Sequence, residues 1–187
     1  LSGGSTDNVI VTFDVPYDVT GGQTKTLQLN ATSVGDTMQK AVITLSVNIN
    51  KVVSLDLYAP VTELGTLPGE GAVFTITAND TGNVGDTYSY TYGTMMPNWA
   101  AMFAPDQIAV AANASGNTTL TVTPPYAASP GTEQTVVIKA TSTANSTVQK
   151  TLSLKVKVLE VVDLGVDVDP LSISVDPDEK ATYTITL

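Results

Sequence analysis

The amino-acid sequence predicts an all-β chain built from tandem antiparallel β-sandwiches. Three observations lead to this fold class: short segments in which apolar and polar residues alternate, turn residues between them, and self-similarity when the chain is laid on itself with position 16 on position 125. Alternation with a period of two is typical of strands that bury one face. A period of about 110 residues matches one sandwich domain and is too long for a solenoid turn.

Six segments in the middle of the chain carry the strand pattern. The clearest is 152–158, where Leu152, Leu154, Val156 and Val158 form an apolar face. The other predicted strands are residues 53–57, 72–77, 87–92, 118–122 and 134–140. Clusters of Pro, Gly, Asn and Asp separate them and predict turns. Only residues 99–102 hint at a short helical turn.

The internal repeat predicts the domain organisation. The repeat shift, which carries positions 16–17 (Pro-Tyr) onto 125–126, also carries positions 75–77 (Thr-Ile-Thr) onto 184–186. We expect residues 1–51 to be the C-terminal half of one unit and residues 52–160 to be a complete unit. Residues 161–187 are then the opening strands of a further unit, or an arm donated to another chain. We expect any targeting signal to lie outside this sequence.

Composition and charge exclude several classes of function. The net charge is −10, with 18 acidic residues against 8 basic ones, so the chain would repel nucleic acid and offers no polybasic patch to a membrane. Without cysteine it forms neither disulfides nor zinc–thiolate sites. No stretch is long and apolar enough to insert into a bilayer.

The residues also resemble a known family. The quoted elements are Asn79-Asp-Thr-Gly-Asn83, Asp86-Thr-Tyr88, Pro97-Asn-Trp99, the strand at 118–122, Pro124-Pro125, the turn at 130–132 and the strand at 136–140. Their order and spacing resemble the immunoglobulin/fibronectin-like modules of archaeal cell-surface proteins and filaments, which are also appended to some bacterial glycosidases. The resemblance implies tandem immunoglobulin-like antiparallel β-sandwiches that act as spacers, self-association units or accessory binding domains. In place of the family's glycine-rich lead into the tryptophan, this chain has Met95-Met-Pro-Asn98.

Five Asn-X-Ser/Thr sequons predict N-linked glycans, at Asn30, Asn79, Asn113, Asn117 and Asn145. We expect four of them to lie in or beside turns, where a glycan can project. Charged residues make up only 14% of the chain, against roughly 25% in ordinary globular proteins, so glycans would also supply hydration. The alternative is that a threonine-rich chain contains sequons by chance and leaves most of them unmodified.

An aromatic stripe and an acidic segment are further candidate sites. Tyr88, Tyr90 and Tyr92 share one strand face and Trp99 follows, so the rings either fill the core or stack on sugars. Seven acids lie at the domain junction, a place where calcium could bind, although a solvated acidic linker explains them better: Glu160, Asp163, Asp167, Asp169, Asp176, Asp178 and Glu179. An intramolecular isopeptide bond from a lysine is a further alternative.

The sequence favours a non-enzyme. Without histidine the usual general base is missing, and no carboxylate pair or Ser/Lys pair has a suggestive spacing. We therefore expect a glycosylated extracellular structural protein at a cell surface, in a filament, a layer or an adhesin stalk, without cofactor or metal. Its partners would be further copies of itself, joined by β-strand addition. The alternatives are a carbohydrate-binding module and a spacer of a larger secreted enzyme.

Overall fold

The computed structural model describes residues 6–162 and 165–186. In these ranges it contains thirteen strands and no helix. The strands are β1 (Thr24–Thr32), β2 (Lys40–Asn48), β3 (Leu55–Tyr58), β4 (Glu63–Thr66), β5 (Ala72–Asp80), β6 (Asp86–Tyr92), β7 (Ala100–Ala104), β8 (Gln107–Val110), β9 (Ser115–Thr123), β10 (Glu133–Ser142), β11 (Gln149–Val158), β12 (Asp167–Asp169) and β13 (Thr184–Thr186).

Strands β3 to β11 form two facing sheets in the middle of the chain. One sheet has the order β4-β11-β10-β6-β8 and the other has the order β3-β5-β9-β7. All pairs are antiparallel except β4 with β11, which run parallel. This is an immunoglobulin-like β-sandwich. The all-β fold class that the sequence predicts is confirmed.

Alternation along the strands builds the core between these sheets. In β10, Val136, Ile138 and Ala140 are fully buried, while Val137 between them points outward and is 45% exposed. The opposite sheet contributes Phe74, Ile76, Leu120 and Val122, none more than 1% exposed. Each buried side chain of this size stabilises the fold by about 1.5–3 kcal/mol relative to its exposed form.

The helical turn expected at residues 99–102 is wrong. The amide of Trp99 closes a turn on the carbonyl of Met96, and the chain then continues as β7, which pairs with β9. The short alternation of Ala101 and Phe103, both of which pack against the core, is a strand pattern. Two separate hairpins complete the architecture of the described ranges, in which β1 pairs only with β2 and β12 pairs only with β13.

Candidate interaction surface

The N-terminal hairpin presents an apolar sheet face. β1 and β2 pair antiparallel from Thr24 opposite Asn48 to Thr32 opposite Lys40. Leu27 lies opposite Leu45, and Leu29 lies opposite Ile43, so these side chains share one face. Leu27 is 40% exposed and Ile43 is 57% exposed. Exposed apolar faces of this kind are typical of interaction sites.

The same hairpin geometry recurs inside the sandwich. The repeat shift carries the pair of Thr24 opposite Asn48 onto the pair of Glu133 opposite Lys157 in β10–β11. There the side chain equivalent to Leu27 is Val136, which is fully buried beneath the second sheet. Among the described residues, no second sheet lies over β1–β2.

The turns that lead into the two hairpins, just before β1 and β10, also match. The amide of Gly22 donates to the carbonyl of Ile49, and the amide of Gly131 donates to the carbonyl of Val158, both at 2.8 Å. Both glycines have φ of 81°, a left-handed conformation that favours glycine. The N-terminal hairpin is therefore built like one half of a sandwich.

The segment before this hairpin has no strand partner among the described residues. Residues 6–16 belong to no strand pair, although they precede β1 as β9 precedes β10. Val9 is 87% exposed and Ile10 is 90% exposed. Phe13 lines an apolar cavity of about 240 Å³ together with Val47 and Ile49. An exposed apolar segment without a partner strand is a candidate for strand addition.

The C-terminal hairpin repeats the start of the sandwich. β12 and β13 pair with Asp167 opposite Thr186, and the equivalent pair in the sandwich is Tyr58 opposite Thr77 in β3–β5. Ile185 is 62% exposed, whereas its counterpart Ile76 is fully buried. Both ends of the described chain thus expose side chains whose counterparts form the core of the sandwich.

Asn83 joins the N-terminal hairpin to the sandwich. Its side-chain Oδ1 accepts a hydrogen bond from the amide of Val52 at 2.8 Å, and its Nδ2 donates to the carbonyl of Asn50 at 3.0 Å. Its own carbonyl accepts a bond from the amide of Gly21 at 2.8 Å. A Cβ on Gly21 would lie 2.3 Å from Asn83 Oδ1, so only glycine fits here. This joint fixes where the hairpin leaves the sandwich.

The residues of the predicted aromatic stripe differ in burial. Tyr88 is fully buried and Tyr90 is 5% exposed, so neither ring has a face for a sugar and both belong to the core. Sugar stacking by these two residues is therefore excluded by burial. Tyr92 is 45% exposed and its ring centroid lies 6.1 Å from that of Phe103, while Trp99 is half-buried against the core. Of the four predicted stacking residues, Tyr92 is exposed and Trp99 is partly exposed, and stacking on sugars by these two stays a prediction.

Burial also changes the acidity of the two core tyrosines. Burial raises the pKa of the Tyr88 hydroxyl, and the nearby carboxylates of Asp80 and Asp86 raise it further. Burial raises the pKa of Tyr90 to about 12. Both hydroxyls therefore stay protonated at neutral pH, and neither can act as a base there.

The five sequons occupy two kinds of site. Asn113 and Asn145 lie in turns, whereas Asn30, Asn79 and Asn117 lie within strands, with Asn79 next to the last residue of β5. At Asn145 the side-chain Oδ1 accepts hydrogen bonds from the amide and the hydroxyl of Thr147, at 3.1 and 2.8 Å. Asn145 itself is exposed.

Two of the strand sequons have a cross-strand hydrogen bond. Oδ1 of Asn79 accepts a bond from the hydroxyl of Ser115 at 2.6 Å, and Oδ1 of Asn117 accepts one from the hydroxyl of Thr77 at 2.9 Å. Asn79 is half-buried, while Asn30 and Asn117 are exposed. Glycan occupancy at all five stays a prediction.

The acidic junction does not gather into a site. Among the described residues no three acidic side chains approach closely enough to hold a metal ion. The amide of Asp176 donates to the carboxylate of Glu179 at 3.3 Å, which is a local turn contact. Asp163 lies outside the described residues. The four other acids of the segment are exposed: Glu160, Asp167, Asp169 and Asp178.

Two carboxylates are buried in the sandwich. Asp86 accepts hydrogen bonds from the hydroxyl of Ser142 and from the amide of Ala144, so it ties β6 to the turn after β10. Asp80 accepts a bond from the amide of Gly82 at 2.8 Å, but its Oδ2 is buried without a partner. Neither carboxylate lies beside a buried lysine, which an isopeptide bond would need, because all eight lysines are at least partly exposed.

Lys155 makes two ion pairs on the five-stranded sheet. Its ammonium lies 3.1 Å from Glu63 and 3.3 Å from Glu133, which links β4, β11 and β10. Hydrogen bonds to both carboxylates raise the pKa of Lys155. In β1–β2 the corresponding positions are Ser46 and Thr24, so the open hairpin has no such charges.

Comparison with known proteins gives structural likenesses only. No family profile and no curated protein sequence matches this chain. Similar solved structures include PapD-like domain 7 of human CEP192, with 11% identity and a TM-score of 0.43 over 58% of this chain and 87% of that chain. A family 123 glycoside hydrolase from Clostridium perfringens matches with 11% identity and a TM-score of 0.45 over 58% of this chain and 28% of that chain. Domains 4 and 5 of the S-layer protein SbsC match with 19% identity and a TM-score of 0.37 over 64% of this chain and 59% of that chain.

These low TM-scores leave the fold assignment to the strand pairing described above. No helix able to cross a lipid bilayer occurs among the described residues.

Proposed function

We propose that this chain is a non-enzymatic structural segment of an extracellular surface assembly, in which sandwich units join end to end by β-strand addition. The observation that carries the proposal is the apolar face of the β1–β2 hairpin, which has the strand register of β10–β11 but lacks the covering sheet among the described residues. Strand addition would supply that cover with main-chain hydrogen bonds and with a packed apolar layer.

The composition supports a surface location. Charged residues are scarce, at 14%, and the turn sequon at Asn145 is exposed, where a glycan can project. Glycans would hydrate a surface that carries few charges and would mark an exported protein. Repeated sandwiches with protected edges suit a filament, a layer or a stalk.

Chemistry at the described residues supports a non-enzymatic role. The chain has neither histidine nor cysteine, and burial keeps the two core tyrosines protonated. The buried carboxylate Asp86 is engaged in structural hydrogen bonds. The two end segments expose large apolar side chains, such as Ile10, Ile43 and Ile185. Exposed apolar side chains favour association over catalysis.

Assembly can be tested on the full chain by light scattering and electron microscopy. We expect polymers whose mean mass rises with protein concentration. Ile43→Lys places a charge on the apolar hairpin face and should reduce the polymer mass several-fold. Thr44→Lys places the same charge on the opposite face of β2 and should leave assembly nearly unchanged. A monodisperse monomer at high concentration, or equal effects of the two lysines, would contradict the proposal.

A further inference from the structure

We propose that residues 181–186 of one copy of this chain pair antiparallel with residues 8–13 of a second copy, with Ile185 opposite Val9. This inference rests on the proposed function and names the two strands and the register that join the copies. The pairing would build a small sandwich of six strands around the open face of β1–β2.

The register comes from the complete sandwich. There β5 and β9 pair antiparallel, with Phe74 opposite Leu120 and Ile76 opposite Thr118. The repeat shift carries residues 8–13 onto 117–122 of β9, and it carries residues 72–77 of β5 onto 181–186. The same pairing therefore places Tyr183 opposite Val11 and Ile185 opposite Val9.

Side-chain alternation fits this register. Val9, Val11 and Phe13 fall on one face of their segment, and Ala181, Tyr183 and Ile185 fall on the matching face of theirs. The outward positions are threonine or asparagine except for Ile10: Thr182, Thr184, Thr186, Asn8 and Thr12. A shift by one residue would turn the apolar rows away from the hairpin, so the register is well specified.

Both strands have a free edge. β13 pairs with β12 along one edge, as β5 does with β3. The other edge of β13 corresponds to the edge of β5 that pairs with β9, and among the described residues it has no partner strand. Residues 8–13 have no partner strand among the described residues, and Val9 and Ile10 are almost fully exposed. The open edges and the exposed apolar side chains are thus complementary.

A second contact follows from the parallel pair in the sandwich. β4 lies beside β11 with Leu64 opposite Val156. The corresponding residues are Ile173 and Val47, and residues 172–175 belong to no strand of the described chain. Residues 172–175 of the second copy would pair in parallel with the free edge of β2, in the register that β4 has with β11. Each sheet of the hybrid sandwich then has three strands.

The geometry of the complete sandwich favours a second copy over the same chain. The N-terminal hairpin leaves the sandwich near Asn83, just beyond the end of β5 at Asp80. The C-terminal segment leaves the sandwich after Val158, whose carbonyl accepts a hydrogen bond from the amide of Gly131. This exit lies at the end of the sandwich where β5 begins. β5 has nine residues, so these exits are about 30 Å apart at opposite ends.

Disulfide cross-linking tests the register, because the chain has no cysteine of its own. One preparation carries Thr184→Cys and the other carries Ile10→Cys, two outward positions that the proposed register places opposite each other. Directly opposite Cβ atoms are about 4.5–5.5 Å apart, whereas diagonal ones are about 7–8 Å apart. The matched control pairs Thr184→Cys with Thr12→Cys, which lies on the same face two residues away.

After mixing and oxidation, trypsin cleavage at Lys180 and Lys25 releases the two cysteine peptides for mass spectrometry. We expect the mixed disulfide of Thr184→Cys with Ile10→Cys to exceed that of the control pair at least five-fold. Polymers with equal yields for the two pairs would overturn the register while leaving the assembly proposal in place. Monomers without mixed disulfide would overturn both.

A charge on the donated strand gives an independent readout. Ile185→Lys places a lysine in the buried row and should abolish polymers in light scattering. Thr184→Lys places it in the outward row of the same short strand and should leave them. Equal loss in both variants would contradict the proposed face.

Discussion

At the scale of single residues, the hydroxyls of the two core tyrosines have different surroundings. The hydroxyl of Tyr88 donates to the carbonyl of Ser54 at 3.3 Å, whereas the hydroxyl of Tyr90 is buried without a partner among the described residues. A buried group left without a hydrogen bond destabilises a fold by about 1–3 kcal/mol. The rings themselves pack well, since Tyr90 lies with its centroid 5.5 Å from that of Phe103.

Replacing Tyr90 with phenylalanine should therefore stabilise the sandwich. We expect Tyr90→Phe to raise the free energy of unfolding in urea by about 1 kcal/mol, because it removes the unpaired hydroxyl and keeps the ring. Tyr88→Phe is the matched control; it loses a hydrogen bond and should leave stability unchanged or lower it. A Tyr90→Phe variant less stable than the natural chain would show that this hydroxyl has a partner in solution.

Alkaline unfolding probes the same group. The pKa of Tyr90 is raised to about 12 in the folded chain, from an ordinary value of 10.0. Between these values the unfolded chain has lost the proton and the folded chain retains it, so stability falls as pH rises. We expect Tm to drop between pH 10 and pH 12, and to drop less in Tyr90→Phe. Identical pH profiles for the two proteins would refute this assignment.

At the scale of elements, the alternating strands are those that the sequence predicts well. β10 and β11 follow from their period-two pattern, and so do β5, β6 and β9. The short strands β4, β7 and β8 were missed, because their four or five residues lack the clear alternation that marks the equally short β3. β4 owes its strand conformation to its pairing with β11.

The interaction surface was predictable in part. The repeat shift alone identifies β1–β2 and residues 181–186 as sandwich-like pieces, because it carries them onto strands with the same pattern. The Asn83 joint was not predicted, since its four hydrogen bonds connect residues 50–52 and Gly21 to a turn that is distant in sequence. The one signal for it is glycine at position 21, where the repeat has Pro130.

The joint itself can be tested by hydrogen exchange. Asn83→Ala removes the acceptor for the amide of Val52 and the donor to Asn50, so we expect the Val52 amide to exchange at least ten-fold faster. The unfolding midpoint of the sandwich should change little, because the core is untouched. Asn83→Asp keeps the acceptor and loses the donor, and its exchange rate should be intermediate. Unchanged protection of Val52 in Asn83→Ala would contradict this role.

At the scale of the whole molecule, like charge opposes the proposed assembly. Each copy carries a net charge of −10, so two copies repel each other at neutral pH. Raising the salt concentration from about 0.1 M to about 1 M shortens the screening length from about 10 Å to about 3 Å. The apolar contacts proposed between copies are themselves insensitive to this screening.

Polymer growth at pH 7 should therefore accelerate with salt. We expect the initial rate of increase in light scattering to rise several-fold over that range of sodium chloride. Lowering the pH towards the isoelectric point of about 4.1 should act in the same direction, because it removes the net charge. Slower growth in salt would indicate that ion pairs, and not apolar strands, join the copies.

The parallel pair of β4 and β11 determines how the sandwich bears a mechanical load. Tension on residues 52 and 160 that passes through β3 to β4 would draw β4 and β11 in opposite directions along their length. The backbone hydrogen bonds between them would then be loaded together in shear. These include the bond from the amide of Lys155 to the carbonyl of Thr62 and the bond from the amide of Leu159 to the carbonyl of Thr66, both 2.8 Å. A pair that is loaded in shear yields at a higher force than one that is peeled open bond by bond. In a thread of such units, β4 would stay in place under pulling forces that peel other strands away.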